Sequence, residues 1–411
     1  MRVDRPVALL IAIACASSAA AADSVDPVLV KDLEVAPRAN LTLDDDTLRV
    51  HPKAMLGVGF NSNIFAEVDG QENDDIYVRG LVGLVADWRL NPHQKLTING
   101  ELEVLNYLDS DNEEGNLVGG LLTGDLRLYQ TGADVRLHGG YARFDDPLIQ
   151  SGERILRQNI DGSATVLLQG TTVRTVLEVG ASATDYLDDG IDFSEESRDN
   201  TNYRAVGRVG WTSARDTFYY ALLGVDFNDY WENIQYNDSL GLTAGVGAQV
   251  RLGVRSVLTA EGGVTYRMYD DNYAGVAAYD DEDVYAPYVS VAARWPWESG
   301  SQVGLKLFSR IDESLTSNAA WIYGLQLDGR YRLLAHSALI GAVAGYHSED
   351  SGQGSGIPAE ERDTIEAMLG VEHEITKGFV GRLKGTYTDS TAELSNDFTR
   401  YIVALDLAVA Y

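Results

Sequence analysis

From about residue 53 to the end, the chain keeps a two-residue rhythm of apolar and polar positions. In the last segment Tyr401, Val403, Leu405, Leu407, Val409 and Tyr411 occupy one face, and Arg400, Ile402, Ala404, Asp406, Ala408 and Ala410 the other. Leu258, Ala260, Gly262, Val264, Tyr266 and Met268 oppose Thr259, Glu261, Gly263, Thr265 and Arg267 in the same way. A 3.6-residue period fits neither run, so both predict strands with one apolar face. The breaks between such runs alternate in kind. Eight are short, among them Asn91-Pro92-His93, Thr131-Gly132 and Thr376-Lys377. Nine are long and polar: 66–75, 108–114, 145–153, 188–199, 229–238, 270–283, 312–318, 349–363 and 389–397. They divide the chain into 18 strands, each with room for the ~9–11 residues that a tilted strand needs to cross a bilayer.

An even number of antiparallel strands, with short turns at one end and long loops at the other, predicts an all-β transmembrane barrel of the bacterial outer membrane. Short turns then face the periplasm, long loops face outward, and both termini are periplasmic. A soluble propeller or sandwich would also alternate apolar and polar positions. It gives no reason for connections that alternate strictly in length, or for a last strand that ends on Tyr411. A closed sheet satisfies every backbone N–H and C=O within hydrocarbon, and its apolar face meets lipid. Trp88, Tyr107, Trp211, Tyr219, Trp295, Trp297, Trp321, Tyr331 and Tyr411 are candidates for the aromatic girdles at the headgroups. Eighteen strands enclose an aqueous channel unless a segment plugs it.

The first residues read as an address. Arg2 and Arg5 precede an apolar run, Val7 to Ala16, and then a stretch of small residues ending Ala20-Ala21-Ala22, which predicts a signal peptide over 1–22 cleaved near Ala22. Cleavage before Cys15 to give a lipoprotein is the rival, on a looser match. Residues 23–52 show little periodicity and carry Asp44-Asp45-Asp46; they read as a periplasmic tail, mobile or partly plugging the barrel assigned to 53–411.

Charge sharpens this reading. The chain of 411 residues has 62 acidic and 32 basic side chains, a formal net charge of −30, and one cysteine. Such acidity excludes a phosphate-backbone partner, so no nucleic acid is expected. One cysteine excludes a disulfide framework or a thiolate metal site. The nine long breaks hold 37 of the acidic residues and, among basic ones, only Arg198 and Arg362, for a net −35; the rest of the chain carries +5. The acidity is a loop property. Asp109-Ser110-Asp111-Asn112-Glu113 faintly resembles a calcium loop, but its glycine falls one place late, so a solvated loop is expected.

Projected by parity, the face opposite the apolar one is mixed, with a basic tilt. The pore-lining candidates are Arg79, Arg89, Arg127, Arg136, Arg174, Arg208, Arg251, Arg267, Arg330, Arg382, Lys384 and Arg400, and Arg204, Arg294, Arg310 and Arg332 share that face. Asp87, Glu101, Glu103, Asp125, Glu178, Glu261, Asp328, Glu366, Glu372 and Asp406 join them. Two outcomes are open: a transverse field that filters polar solutes, or arginine–carboxylate pairs that only stabilise a wet wall. A bulge would flip the parity beyond it. No catalytic, cofactor or metal site is predicted. The six histidines lack paired metal spacing, and there is no G-x-S-x-G elbow. Were the barrel a hydrolase, His138 would be its best-placed base.

The first strand reads Gly57-Val58-Gly59-Phe60-Asn61-Ser62-Asn63-Ile64-Phe65. This resembles the opening strand of the putative β-barrel porin-2 family, whose members run from a glycine-rich strand into an N-S-N-I-F-like sequence. Gly57, Gly59, Asn61, Ser62, Asn63 and Phe65 carry the match. The Asp-rich first loop, the Asp87-Trp88 end of the second strand and the aromatic last residue are similar too. The resemblance implies an outer-membrane channel without catalytic residues. Some relatives resemble conduits encoded with exopolysaccharide synthesis, which implies a secreted polysaccharide as substrate and export components as partners. Other expected partners are outer-membrane lipid and lipopolysaccharide, and the barrel-assembly machinery through the strand ending at Tyr411. The rival functions are a non-transporting adhesion or receptor barrel acting through the acidic loops, and an outer-membrane hydrolase. Asn61, Ser62 and Asn63 are expected at the outer end of their strand, closing the loop with their polar groups.

Overall fold

The computed structural model describes residues 41–43, 47–64, 74–108, 117–147, 154–186, 199–213, 217–230, 238–253, 255–269, 283–297, 300–312, 319–350, 360–393 and 397–411. The segment expected to be a signal peptide, the chain from there to residue 40 and most of each long connection lie outside them, and so do the calcium-like sequence and Phe65.

A short strand β1 (Leu41–Leu43) is followed by eighteen long ones. These are β2 (Leu48–Asn61), β3 (Asp75–Asn91), β4 (Gln94–Tyr107), β5 (Leu117–Gln130), β6 (Ala133–Pro147), β7 (Arg154–Gln169), β8 (Val173–Tyr186), β9 (Asn200–Thr212) and β10 (Phe218–Tyr230). They continue as β11 (Ser239–Arg251), β12 (Val257–Tyr269), β13 (Val284–Pro296), β14 (Gln302–Asp312), β15 (Ala320–Leu334), β16 (Ser337–Asp350), β17 (Glu361–Thr376), β18 (Phe379–Ala392) and β19 (Phe398–Ala410). Each pairs antiparallel with the next, and β19 returns to β2 in a register from Ile402↔Asn61 to Ala410↔Lys53. The sheet is closed, with no edge to cap. Among the described residues there is no helix.

The first strand starts five residues before the expected position. Residues from Leu48 onward pair with the far end of β3 (Leu48↔Trp88) and with β1 (Leu43↔Leu48), so the hairpin continues past the expected boundary at 53.

Parity follows the sequence along each strand. Leu56, Val58 and Phe60 on β2, and Val403, Leu405, Leu407 and Val409 on β19, are all exposed, while Met55, Asn61, Ala404 and Asp406 are buried. The apolar face therefore points out of the barrel, as hydrocarbon requires. Register shifts occur between Arg89 and Asn91, Arg332 and Leu334, and Glu374 and Thr376, each beside a short turn. A bulge in that place flips only the final residue and spares the wall. At two of the tightest turns, Thr131-Gly132 and Lys377-Gly378, the glycine sits at φ near +80°, a left-handed conformation that other L residues adopt only with strain.

Aromatic residues on the outward face meet as cross-strand partners. Tyr203 stacks with Phe227 and Tyr266 with Tyr285 (4.4 Å between centroids), and Tyr387 meets Tyr401 at a tilt, all toward the long connections. Trp211 and Tyr219 do the same toward the short turns. Tyr107 corrects the girdle reading: it shares the face of Glu101 and Glu103, is buried, and meets Tyr77 edge-on.

Loop-end carboxylates have a structural role. Asp199, Asp238 and Asp397 each stand immediately before a strand. Each accepts a hydrogen bond from the backbone N–H that ends the previous strand: Tyr186 at 2.9 Å, Tyr230 at 2.9 Å and Ala392 at 2.7 Å. Part of the acidity thus closes loops by satisfying strand-end donors.

Candidate functional site

The candidate site is the inner wall, and it is built from register. All twelve pore-lining candidates lie on the face opposite the exposed apolar rows. Between neighbouring strands, directly opposed side chains stand close enough to pair. The inner glycines extend this reach to the next strand but one. Lys53 on β2 crosses Gly83 of β3 to bridge Glu101 on β4, because Lys53, Gly83 and Glu101 share one register line. Asp226 on β10 and Arg267 on β12 form an ion pair across Gly241 of β11, where a Cβ would fall 2.5 Å from the Asp226 carboxylate.

Around the ring, most of the candidate arginines are paired. Arg79 forms a two-point bridge to Glu103. Arg127 grips Asp134 through Nε (3.1 Å) and Nη2 (2.9 Å), and Arg136 reaches the same carboxylate at 3.2 Å. Arg330 bridges Glu372, and Arg382 lies 3.4 Å from Asp406 and 3.9 Å from Glu372. Arg251 donates to the Gly253 carbonyl beside a short turn, at 3.1 Å. Arg89 is exposed at the short-turn end, and Lys384 and Arg400 share the inner face of β18 and β19. Arg174 has an aromatic neighbour instead of an acid: its guanidinium lies over Phe218, 4.7 Å from the ring centroid.

The most elaborate group centres on Glu261 of β12. It accepts from Arg208 Nε at 2.8 Å, from the Tyr220 hydroxyl at 2.7 Å and from the Tyr288 hydroxyl at 2.6 Å. Glu178 lies 3.8 Å from the same arginine. Tyr220 lies over Gly247, where a Cβ would come within 2.6 Å of its ring. Parity marks Glu261 and Arg208 as facing inward, but Tyr220 and Tyr288 carry no polar signal in the sequence. Only the register across β9 to β13 brings them to one carboxylate.

The opening motif is structural. A Cβ at Gly57 would collide with the Asp406 carboxylate, and one at Gly59 with the Tyr77 ring. Asn61 donates to the Tyr107 hydroxyl at 3.0 Å and accepts from the Asn63 backbone N–H at 3.1 Å. The Ser62 hydroxyl accepts from the Tyr401 N–H at 2.8 Å, and Asn63 donates to the Thr399 carbonyl at 3.3 Å. Ser62 and Asn63 fasten the end of β2 to β19, the pair that closes the barrel, while Asn61 ties it to β4.

His138 is pinned between two carboxylates, Nδ1 to Asp125 at 2.7 Å and Nε2 to Asp161 at 3.1 Å. Both ring nitrogens are engaged, so neither is free to activate a nucleophile, which counts against the hydrolase reading. Among the described residues no group of histidine, cysteine and carboxylates could hold a metal ion. The adhesion reading falls mainly on loop residues outside the described ones.

The family model described as Putative beta-barrel porin 2 matches residues 48–411, from the first residue of β2 to the end of the chain. No curated protein sequence matches. Among solved structures, OccK1 (OpdK) of Pseudomonas aeruginosa is 12% identical, with a TM-score of 0.52, covering 88% of this chain and 99% of its own. OccK2 (OpdF) of the same organism is 11% identical, with a TM-score of 0.50 and coverage of 88% and 98%. A BenF-like porin from Pseudomonas fluorescens Pf-5 is 12% identical, with a TM-score of 0.50 and the same coverage. At these identities the likeness is one of fold.

Proposed function

The chain belongs to the Putative beta-barrel porin 2 family, and on that premise we propose that this outer-membrane barrel is a passive channel for small polar solutes, with selectivity set by its inner wall. The observation that carries the reading is a closed ring of eighteen strands whose inner face is lined by ionised side chains. Such a face suits a wet lumen and would be costly against hydrocarbon. Because most of the arginines are held by carboxylates along the wall, the field seen by a solute is weaker than the count of basic residues suggests. The reading takes outer-membrane lipid and lipopolysaccharide as neighbours of the exposed apolar rows, and the barrel-assembly machinery as the partner of β19. Planar-bilayer recording of the purified barrel tests it: steady unitary conductance is expected, and a barrel that stays sealed at every voltage and salt concentration overturns it.

A finer reading, a conduit for a secreted polysaccharide, draws on the resemblance of the opening strand to export-associated barrels. The aromatic side chains Phe218, Tyr220 and Tyr288 on the inner wall favour it, since sugar rings stack on such faces. Removal of the gene should then trap polymer in the periplasm; unchanged secretion counts against export and leaves the channel reading intact.

A further inference from the structure

Among the described residues, the pairing that fills the inner wall leaves out one buried cation. Arg174 is the first inward-facing residue of β8 after the short turn at 170–172, and it is 3% exposed. Its register partner on β9 is Gly210, which in turn stands opposite Tyr220 on β10. Gly210 has no side chain on the inner face, so the guanidinium crosses β9 and lies over Phe218. Phe218 is itself stacked on Tyr220, with centroids 4.7 Å apart and planes at 27°.

A ring satisfies the face of a guanidinium and leaves its N–H edge unserved. In Arg174 both Nε and Nη2 are buried without a hydrogen-bond partner, and among the described residues no carboxylate lies within ion-pair distance. The nearby acids are committed elsewhere: Glu261 is filled by Arg208, Tyr220 and Tyr288, and Glu178 faces Arg208. Thr212 and Gln249, the register partners of Phe218 on either side, add a hydroxyl and an amide to the same face. A desolvated guanidinium whose N–H edge lacks an acceptor is costly unless an anion completes it. Its planar fork matches the two oxygens of a carboxylate or phosphate.

We propose that Arg174 anchors a binding site for the anionic group of a small solute, a carboxylate or a phosphate, at the short-turn end of the lumen, with Phe218 and Tyr220 as its aromatic floor. The site rests on the channel reading for access by a solute, so binding and conduction are measured separately.

The test is calorimetric titration of the detergent-solubilised full barrel with acetate, benzoate and inorganic phosphate at constant ionic strength. Saturable binding of at least one anion is expected. Arg174→Gln should weaken it about tenfold or more, the loss of a charge-assisted hydrogen-bonded pair. Arg174→Lys should recover part of the affinity, because it keeps the charge and loses the fork. Phe218→Leu should weaken benzoate more than acetate. Acetate and benzoate without phosphate identify a carboxylate site, and phosphate alone a phosphate site. The heat-dependent shift in gel mobility reports whether each variant is folded; should Arg174→Gln fail to fold, Arg174→Lys carries the test. No saturable binding in the parent barrel, or a folded variant at position 174 that binds as the parent does, overturns the proposal. A barrel that binds but never conducts overturns the channel reading alone, and one that conducts but never binds overturns the site alone.

Discussion

Two sectors of the inner wall solve the same problem differently. In β2–β4 the inner pairs are one to one, Lys53 with Glu101 and Arg79 with Glu103, and each keeps a partly exposed member: Lys53 at 29% and Glu103 at 23%. In β8–β13 a single carboxylate, Glu261, collects donors from three other strands and is 6% exposed. Pairs with one solvent-reachable member are partly screened, which lowers their contribution to stability. A buried carboxylate with three donors is integral to its surroundings, because each donor would otherwise lie unpaired. The first sector is therefore where charge can be changed with less harm to the fold, and the second is where charge is structural.

The strongest way to break this contrast is Glu261→Ala. It strands the Arg208 guanidinium and the hydroxyls of Tyr220 and Tyr288 on the inner wall. Removing one member of a buried pair costs about 3–5 kcal/mol. The folded, fast-migrating form should disappear at a clearly lower temperature than in the parent. An unchanged melting profile would show that water reaches Glu261 freely and that the two sectors are equivalent.

The sequence makes some of this legible and hides the rest, for physical reasons. Strand number and sidedness are visible because the period of two persists from strand to strand, and because each of the three bulges falls beside a short turn, where it disturbs one residue. The arginine-bearing face follows from that parity. Partners do not, because they depend on register between strands far apart in the chain, 53 residues in the case of Arg208 and Glu261. The inner glycines are visible as residues but not as gaps: Gly83 and Gly241 acquire meaning only once Lys53 and Asp226 are seen to cross them. Tyr107 fits an aromatic girdle by type, and its position on the face of Glu103 moves it inside. Asp199, Asp238 and Asp397 read as loop charge, yet each is a strand-end acceptor.

Two smaller effects, with a control on β18, sharpen the view of the β8–β13 sector. Gly245 and Gly263 are register partners on β11 and β12, and a Cβ at Gly263 would collide with the Ala244 backbone carbonyl, which cannot rotate away. Gly263→Ala should destabilise the barrel by about 1–3 kcal/mol, the usual range for overpacking. Gly385→Ala, where a Cβ would meet no atom within 4 Å, should be close to neutral in the same thermal assay. At the rim, Asp238→Ala removes the acceptor of the Tyr230 N–H while both strands persist. The expected loss is about 0.5–1.5 kcal/mol, with faster amide exchange confined to the ends of β10 and β11. Exchange that spreads to β12 and β13 would mean that the rim and the Glu261 network open together.

A smaller effect than that of Glu261→Ala is expected in the other sector, where the effect on permeation should be clearest. Glu103→Gln neutralises the acid that holds Arg79 while keeping its shape and hydrogen-bonding capacity. Stability should fall less than for Glu261→Ala, because Glu103 is 23% exposed and the amide still offers an acceptor to the buried Arg79. The wall meanwhile gains one uncompensated positive charge, so the reversal potential under a potassium chloride gradient should move toward chloride. That shift should be large at low salt and shrink as salt rises, because the screening length falls from about 10 Å at 0.1 M to about 3 Å at 1 M. A shift that survives 1 M salt would mean that Arg79 touches the permeating ion directly, and no shift at low salt would mean that the conduction path bypasses β2–β4. Lys53→Gln should move the potential the opposite way, because it frees Glu101, so the two variants together separate a field effect from a change in pore shape.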